Sequence, residues 1–99
     1  MRIIAFRTIR EFYEKPEYAD SEIALRSWYY EVKVAEWKNP NELKQQFRNA
    51  SIVGEGRMVF NIKGNDYRLV AAIDYEFQVI FIRFVGTHQQ YEKINAKTI

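Results

Sequence analysis

The stretch Met58-Val59-Phe60-Asn61-Ile62-Lys63-Gly64-Asn65-Asp66-Tyr67-Arg68-Leu69-Val70-Ala71-Ala72-Ile73 reads as two strands joined by a tight turn. Branched and aromatic residues fill both arms. Between them, Lys63-Gly64-Asn65-Asp66 brings glycine and asparagine, which accept positive φ cheaply, so the chain reverses as a hairpin. Side-chain alternation then sorts the second arm. Arg68, Val70 and Ala72 fall on one face, and Tyr67, Leu69, Ala71 and Ile73 on the other. An arginine in mid-strand is costly unless it faces solvent or a charged partner. One face of the sheet is therefore expected to stay open with arginine standing on it. The competing reading is an ion pair with Asp74, Glu76 or a helix carboxylate.

The pattern extends in both directions. Downstream, Asp74-Tyr75-Glu76-Phe77 is a second turn and Gln78 to Val85 a third strand, with Val79, Phe81, Arg83 and Val85 expected on one face. Upstream, Ser51 to Val53 is a short strand ended by Gly54-Glu55-Gly56. Before Asn49 the periodicity is helical. Leu25, Trp28, Tyr29, Val32 and Ala35 recur at three- and four-residue spacing and form one apolar face, with Arg26, Lys33 and Glu36 outward. Asp20 or Ser21 is expected to cap this helix. Asn39-Pro40-Asn41-Glu42 opens a short helix toward Phe47, with Asn39 as N-cap and Pro40 in the first turn. An earlier helix is expected to start at a capping box of Thr8 and Glu11 and to stop before Pro16. Arg2 to Phe6 is a first strand. The expected fold is α+β: an N-terminal strand and helices packed on one face of an antiparallel sheet, followed by a short C-terminal helical turn. Residues 1–99 read as one domain.

With 99 residues, 47% of them hydrophobic and 16% aromatic, the chain is too apolar to be disordered. It has no cysteine, which excludes disulfides, thiolate zinc sites and a cysteine nucleophile. The apolar run near the N-terminus is shorter than the about seven to fifteen residues of a signal peptide and the about 20 of a membrane span. A cytoplasmic protein is expected, with no membrane association. A net charge of +2 is weak support for a nucleic-acid partner.

His88 is the only histidine. It follows the last strand, where a side chain is held by the sheet yet reaches solvent, and histidine as a residue type can donate or accept a proton. If Thr87 caps a terminal helical turn, His88 and Tyr91 share one side of it. Cleavage of an RNA phosphodiester needs few parts: a group to take the 2′-OH proton, a group to protonate the 5′-oxygen, and cations for the charged transition state. Arg68 and Arg83 suit the cationic role, because guanidinium binds phosphate oxygens as a fork. His88 suits acid or base work. Tyr91 or Tyr67 is suited to stacking an unpaired base or orienting the phosphate. One histidine and no acidic cluster at ligand spacing make a metal centre a poor alternative, and no cofactor is expected.

The run Val59-Phe60-Asn61-Ile62-Lys63-Gly64-Asn65-Asp66-Tyr67-Arg68-Leu69-Val70, followed by Ile82-Arg83-Phe84-Val85-Gly86-Thr87-His88-Gln89-Gln90-Tyr91, resembles the HigB-type toxins of bacterial toxin–antitoxin systems. The likeness continues upstream through Trp28-Tyr29, Ala35-Glu36-Trp37 and Ser51-Ile52-Val53-Gly54. It implies the compact RelE-like fold and a translation-dependent endoribonuclease that cuts mRNA on the ribosome. It also implies a HigA antitoxin with a helix-turn-helix domain, so that DNA is reached only through the antitoxin complex. Arg68 matches the family's strand arginine in its Tyr-Arg-Leu-Val context. His88 stands where the wider family often has arginine, and Tyr91 lies nearly a turn before the family's C-terminal tyrosine. Val59 and Asn61 replace basic residues common on the preceding strand, leaving Lys63 nearby. The implied site is Arg68, His88 and Tyr91, with Lys63, Arg83 and Tyr67 as RNA or phosphate contacts. Two other readings stand beside it: a non-cleaving RNA- or ribosome-binding module, and an inactivated toxin that only binds its antitoxin.

Overall fold

A computed structural model describes residues 1–99. The elements run β1 (Arg2–Ile4), α1 (Phe6–Tyr13), a 3-10 turn (Pro16–Ser21), α2 (Glu22–Lys33), α3 (Pro40–Gln46), β2 (Ser51–Val53), β3 (Arg57–Ile62), β4 (Tyr67–Asp74), β5 (Val79–Thr87) and α4 (His88–Tyr91). The strands form one sheet in the order β1-β5-β4-β3-β2. Strands β2 to β5 are the expected antiparallel meander, and β1 joins its far edge parallel to β5. The α+β architecture stands, with the sheet mixed rather than purely antiparallel. No helix is long and apolar enough to cross a membrane.

The hairpin forms as its sequence dictates, with positive φ at Lys63 and Gly64. In α3 the Asn39 side chain accepts from the Glu42 N–H at 3.0 Å, and the Glu42 carboxylate reaches back to the Lys38 N–H. In α2, Leu25, Trp28 and Val32 are buried, as is Ala35 just beyond it, while Tyr29 is half-buried; Arg26, Lys33 and Glu36 face solvent. These residues close a core with Phe60, Leu69, Ala71 and Ile80 under the helical face of the sheet.

Four local expectations are corrected. The first strand ends at Ile4, and Phe6 opens α1 instead. Thr8 and Glu11 form no capping box: Ala5 holds the N-cap, and Glu11 pairs with Arg7. The early start lets the Phe6 ring pack on Tyr13 and Tyr29. Burying aromatic surface, worth about 1.5–3 kcal/mol when complete, outweighs a cap of about 1 kcal/mol. Ser21 sits at the N-cap of α2, but its hydroxyl donates to the Tyr18 carbonyl, and Asp20 caps nothing. The 3-10 turn runs straight into α2, so its preceding carbonyls replace a side-chain cap.

The fourth correction concerns faces. The pairing Val70↔Phe84 is followed by Ala71↔Ile82, so Arg83 is an extra residue in a β-bulge. Beyond it Val85 turns toward the helical face opposite Leu69, and Phe84 joins the face of Arg68 and Val70. That second face is also only partly open. Ala96 and the half-buried Tyr91, Ile94 and Ile99 of the C-terminal segment pack on Val59, Val70 and Phe84, and Arg57 Nε donates to the Ile99 carbonyl at 2.8 Å.

Gly86 is pinned by this arrangement. A Cβ there would collide with the Phe84 ring and come within 2.8 Å of Gln90 Oε1, which accepts the Thr87 N–H in the capping box of α4. Gly86→Ala is expected to destabilise the protein by about 1–3 kcal/mol through overpacking. Gly64→Ala, where φ is +65° but nothing lies within 4 Å, should cost about 1 kcal/mol. Urea denaturation of the two variants checks the order; equal losses would deny the close approach at Gly86.

Candidate active site

The register of β3, β4 and β5 sets the site. Asn61 pairs with Arg68, and Arg68 pairs with Gly86, so these positions form one row across the hairpin end of the sheet. Two residues beyond Gly86, α4 begins. Thr87 caps it: its hydroxyl accepts the Gln90 N–H, and the Gln90 side chain accepts the Thr87 N–H. The His88 N–H also donates to the Asp66 carbonyl at 3.3 Å, tying the helix start to the hairpin. His88 is thereby carried over Arg68.

Arg68 makes no ion pair. Its Nη1 donates to the carbonyls of Asn65 at 2.9 Å and Tyr67 at 3.4 Å, and its Nη2 lies 3.0 Å from His88 Nδ1. A guanidinium carries only donors. Nδ1 is therefore the acceptor, and the ring proton belongs on Nε2, which donates to Glu92 Oε1 at 2.9 Å. The result is a chain of guanidinium, imidazole and carboxylate. The His88 side chain is half exposed and that of Glu92 nearly two thirds, so the pair contributes orientation more than stability. A depression of about 350 Å³ opens beside His88, between Asn65, Asp66 and Gln89.

The other expected site residues fall in different places. Tyr91 follows His88 by three residues on α4, half-buried against Phe84 with ring centroids 6.5 Å apart. Tyr67 is 6% exposed and packs edge-on to Phe12 and Tyr18, so it presents no ring face to solvent. Its hydroxyl donates to Asp20, and Lys63 pairs with the same carboxylate at 2.8 Å. Arg83 is exposed at the bulge with its guanidinium 5.5 Å from the Phe81 ring centre and no carboxylate partner. It lies three residues along β5 from the Arg68 row, about 10 Å at strand rise. Arg68 and His88 are brought together, Tyr91 packs on Phe84 three residues further along α4, and Lys63, Tyr67 and Arg83 do not join.

Glu92 was missed, although its i+4 spacing from His88 on a terminal helix was a usable signal. Asp20 offered none, because its partner Tyr67 is 47 residues away.

A family model described as the RelE-like toxic component of a toxin–antitoxin system, the HigB toxin, matches residues 21–94. The chain belongs to the HigB toxin family. Among its relatives are the mRNA interferase toxin HigB of Escherichia coli K12 and the mRNA interferase HigB of Shigella flexneri. Each is 29% identical, covering 97% of this chain and 92% of the relative. The mRNA interferase HigB of Escherichia coli O6:H1 is 26% identical over 95% of this chain and 91% of its own length. As a HigB-family toxin the chain is one half of a pair, the other half being an antitoxin.

In this HigB-family fold, the Asp20 cluster fastens the 3-10 turn to the hairpin. Hydrogen bonds from Lys63 first and Tyr67 second hold the Asp20 carboxyl below its ordinary 3.8. The hydrogen bond to Asp20, then burial, raises the Tyr67 phenol to about 12. A carboxylate with a depressed value stabilises the fold above pH 3.8, and that contribution fades as pH falls below it. A phenol with a raised value stabilises it below pH 10 and loses the contribution between 10 and about 12. Asp20→Asn should lower the melting temperature at pH 7 and matter progressively less below pH 3.8. Thermal melts across that range check it, and a loss independent of pH would refute the charge-assisted role.

Proposed function

We propose that this chain is an endoribonuclease that cuts mRNA on the translating ribosome. In this reading a HigA-type helix-turn-helix antitoxin holds it in check in the cytoplasm, and DNA is met only through that complex. The observation that carries the proposal is Arg68, a sheet arginine with no carboxylate partner, 3.0 Å from His88 Nδ1. No carboxylate neutralises it within the chain, so its charge is available to an anion. The guanidinium is aimed by two carbonyls, which leaves N–H groups free for a phosphate. The names of the relatives, all mRNA interferases, support the same substrate.

RNA supplies its own nucleophile. The 2′-oxygen attacks phosphorus and the bond to the 5′-oxygen breaks, leaving a 2′,3′-cyclic phosphate and a 5′-hydroxyl. When Arg68 turns to the phosphate, His88 Nδ1 is released to receive the 2′-OH proton. Glu92 on Nε2 stabilises the imidazolium so formed, which then serves as the proton source for the departing 5′-oxygen. Arg68 stabilises the charge that builds on the phosphoryl oxygens. Tyr91 orients the phosphate or stacks on a base from its place against Phe84. No step requires a metal ion.

The test is expression in bacteria with primer extension on cellular mRNA. The wild-type chain should arrest growth and create new 5′ ends in phase with codons, and a chelator should leave cleavage by the purified toxin unchanged on programmed ribosomes. Arg68→Ala should reduce the cleavage rate about 10²–10³-fold, and His88→Ala about 10²–10⁴-fold. Growth arrest without new ends would favour a binding module. Full arrest by both folded variants would move the chemistry elsewhere on the molecule.

A further inference from the structure

Strand β2 stops short. It pairs with β3 only as Ser51↔Val59, Ile52↔Met58 and Val53↔Arg57. Continued register would set Asn49 opposite Asn61, but the strands part there, and the one link is Asn61 Nδ2 to the Asn49 carbonyl at 3.5 Å. The outer edge of β3 from Phe60 to Ile62 is left without a strand partner. A notch of about 280 Å³ opens in the gap, with Gln46, Arg48, Asn49, Asn61 and Gly64 on its walls. That volume is at the small end of ligand sites.

The wall is built. Lys44 Nζ donates to the carbonyls of Arg48, at 3.2 Å, and Ala50, and the Ala50 N–H donates to the Phe47 carbonyl at 3.1 Å. These bonds hold the segment that presents Arg48 and Asn49. The Arg48 guanidinium is exposed and meets neither a carboxylate nor a carbonyl, and the Asn61 amide oxygen has no partner within the chain. Lys44 is used to shape the loop, whereas Arg48 is left free.

Position supplies the ligand. Asn61 is the ladder partner of Arg68, whose other neighbour is Gly86 below His88. With strands about 4.8 Å apart, the notch, Arg68 and His88 stand in series across the hairpin end. A single strand laid over this row with one phosphate at Arg68 would carry its next nucleotide into the notch. We infer that the notch is a nucleotide subsite for the residue adjacent to the bond being cut, with Arg48 on its phosphate and the Asn61 amide on its base edge. The inference rests on the mRNA-cleaving reading and names where the flanking nucleotide binds. An amide offers a donor beside an acceptor, which selects among base edges, whereas a guanidinium on phosphate is indifferent to sequence.

The two roles separate by experiment. Cleavage is followed on ribosomes programmed with mRNAs that differ only at the nucleotides flanking the cut, and binding of a short single-stranded RNA to the full chain is followed by fluorescence anisotropy against salt. Arg48→Ala should raise the half-saturating toxin concentration more than it lowers the maximal rate. It should also flatten the slope of log affinity against log salt by about 0.7, one phosphate contact on a single strand. Arg48→Lys should restore that slope. Asn61→Ala should compress the rate differences among the flanking-nucleotide variants about fivefold or more, with little change in salt slope. Wild-type saturation, slope and nucleotide preference in both variants would overturn the subsite while leaving cleavage intact. If the wild-type chain binds RNA but cuts none, the cleaving reading fails by itself. The subsite is then judged on anisotropy, where an unchanged Arg48→Ala slope overturns it.

Discussion

A slip of one residue in the register of β4 would reverse this protein. Leu69 and Ala71, fully buried under the helices, would turn outward, and Arg68 would be driven into a core built from Trp28, Phe60 and Leu25. The energetic penalty of that exchange, several buried side chains at about 1.5–3 kcal/mol each plus an unpaired buried cation, fixes the register more firmly than any hydrogen bond in the ladder. Everything at the site follows from it. Asn61 and Gly86 flank Arg68 because the register sets them there. Tyr67, one residue before, must point to the helical side, where Phe12, Tyr18 and Asp20 receive it. The same alternation that makes Arg68 available therefore removes Tyr67 from the site and makes it a fastener.

The position of His88 depends on a local device added to that frame. A terminal helix of four residues has little stability of its own. The reciprocal cap between Thr87 and Gln90 and the bond from the His88 N–H to Asp66 supply what length does not. Gly86 is needed beside it, since any side chain would strike Phe84 and the capping amide. The imidazole is then held at both nitrogens, by Arg68 and by Glu92. Bonding at both ring nitrogens fixes orientation and tautomer together, which a single hydrogen bond would not do.

Local grammar made much of this legible. The hairpin at Lys63-Gly64, the Asn39 cap and the Thr87 cap depend on residues within a turn of one another, and sequence carries such signals directly. The α2 stripe and the inward and outward assignments of β4 follow from period alone. What escaped the sequence was set by distant packing. The Arg83 bulge moves the last strand's outer half by one residue without any glycine to mark it. The early start of α1 is decided by the ring of Tyr29. The partnership of Asp20 with Lys63 and Tyr67 spans more than forty residues, so the Lys63 charge expected to meet phosphate is already paired. The likeness to HigB toxins pointed to Arg68 and to a C-terminal pair, but only the folded chain shows which cations have no acidic partner.

The C-terminal segment explains why the open face is a narrow strip. Val59 and Val70 lie on the same face as Asn61 and Arg68, and exposed they would form an apolar platform in the middle of it. Ala96 and its neighbours cover them, and Arg57 holds the Ile99 carbonyl at the far end. What remains uncovered is the hairpin end, where the row Asn61, Arg68 and His88 meets the depressions on either side. A single-stranded polyanion approaching this face finds apolar cover along the strands and uncompensated cations across them. The row of polar groups left open therefore runs across the strands, by what the tail hides as much as by what the sheet presents.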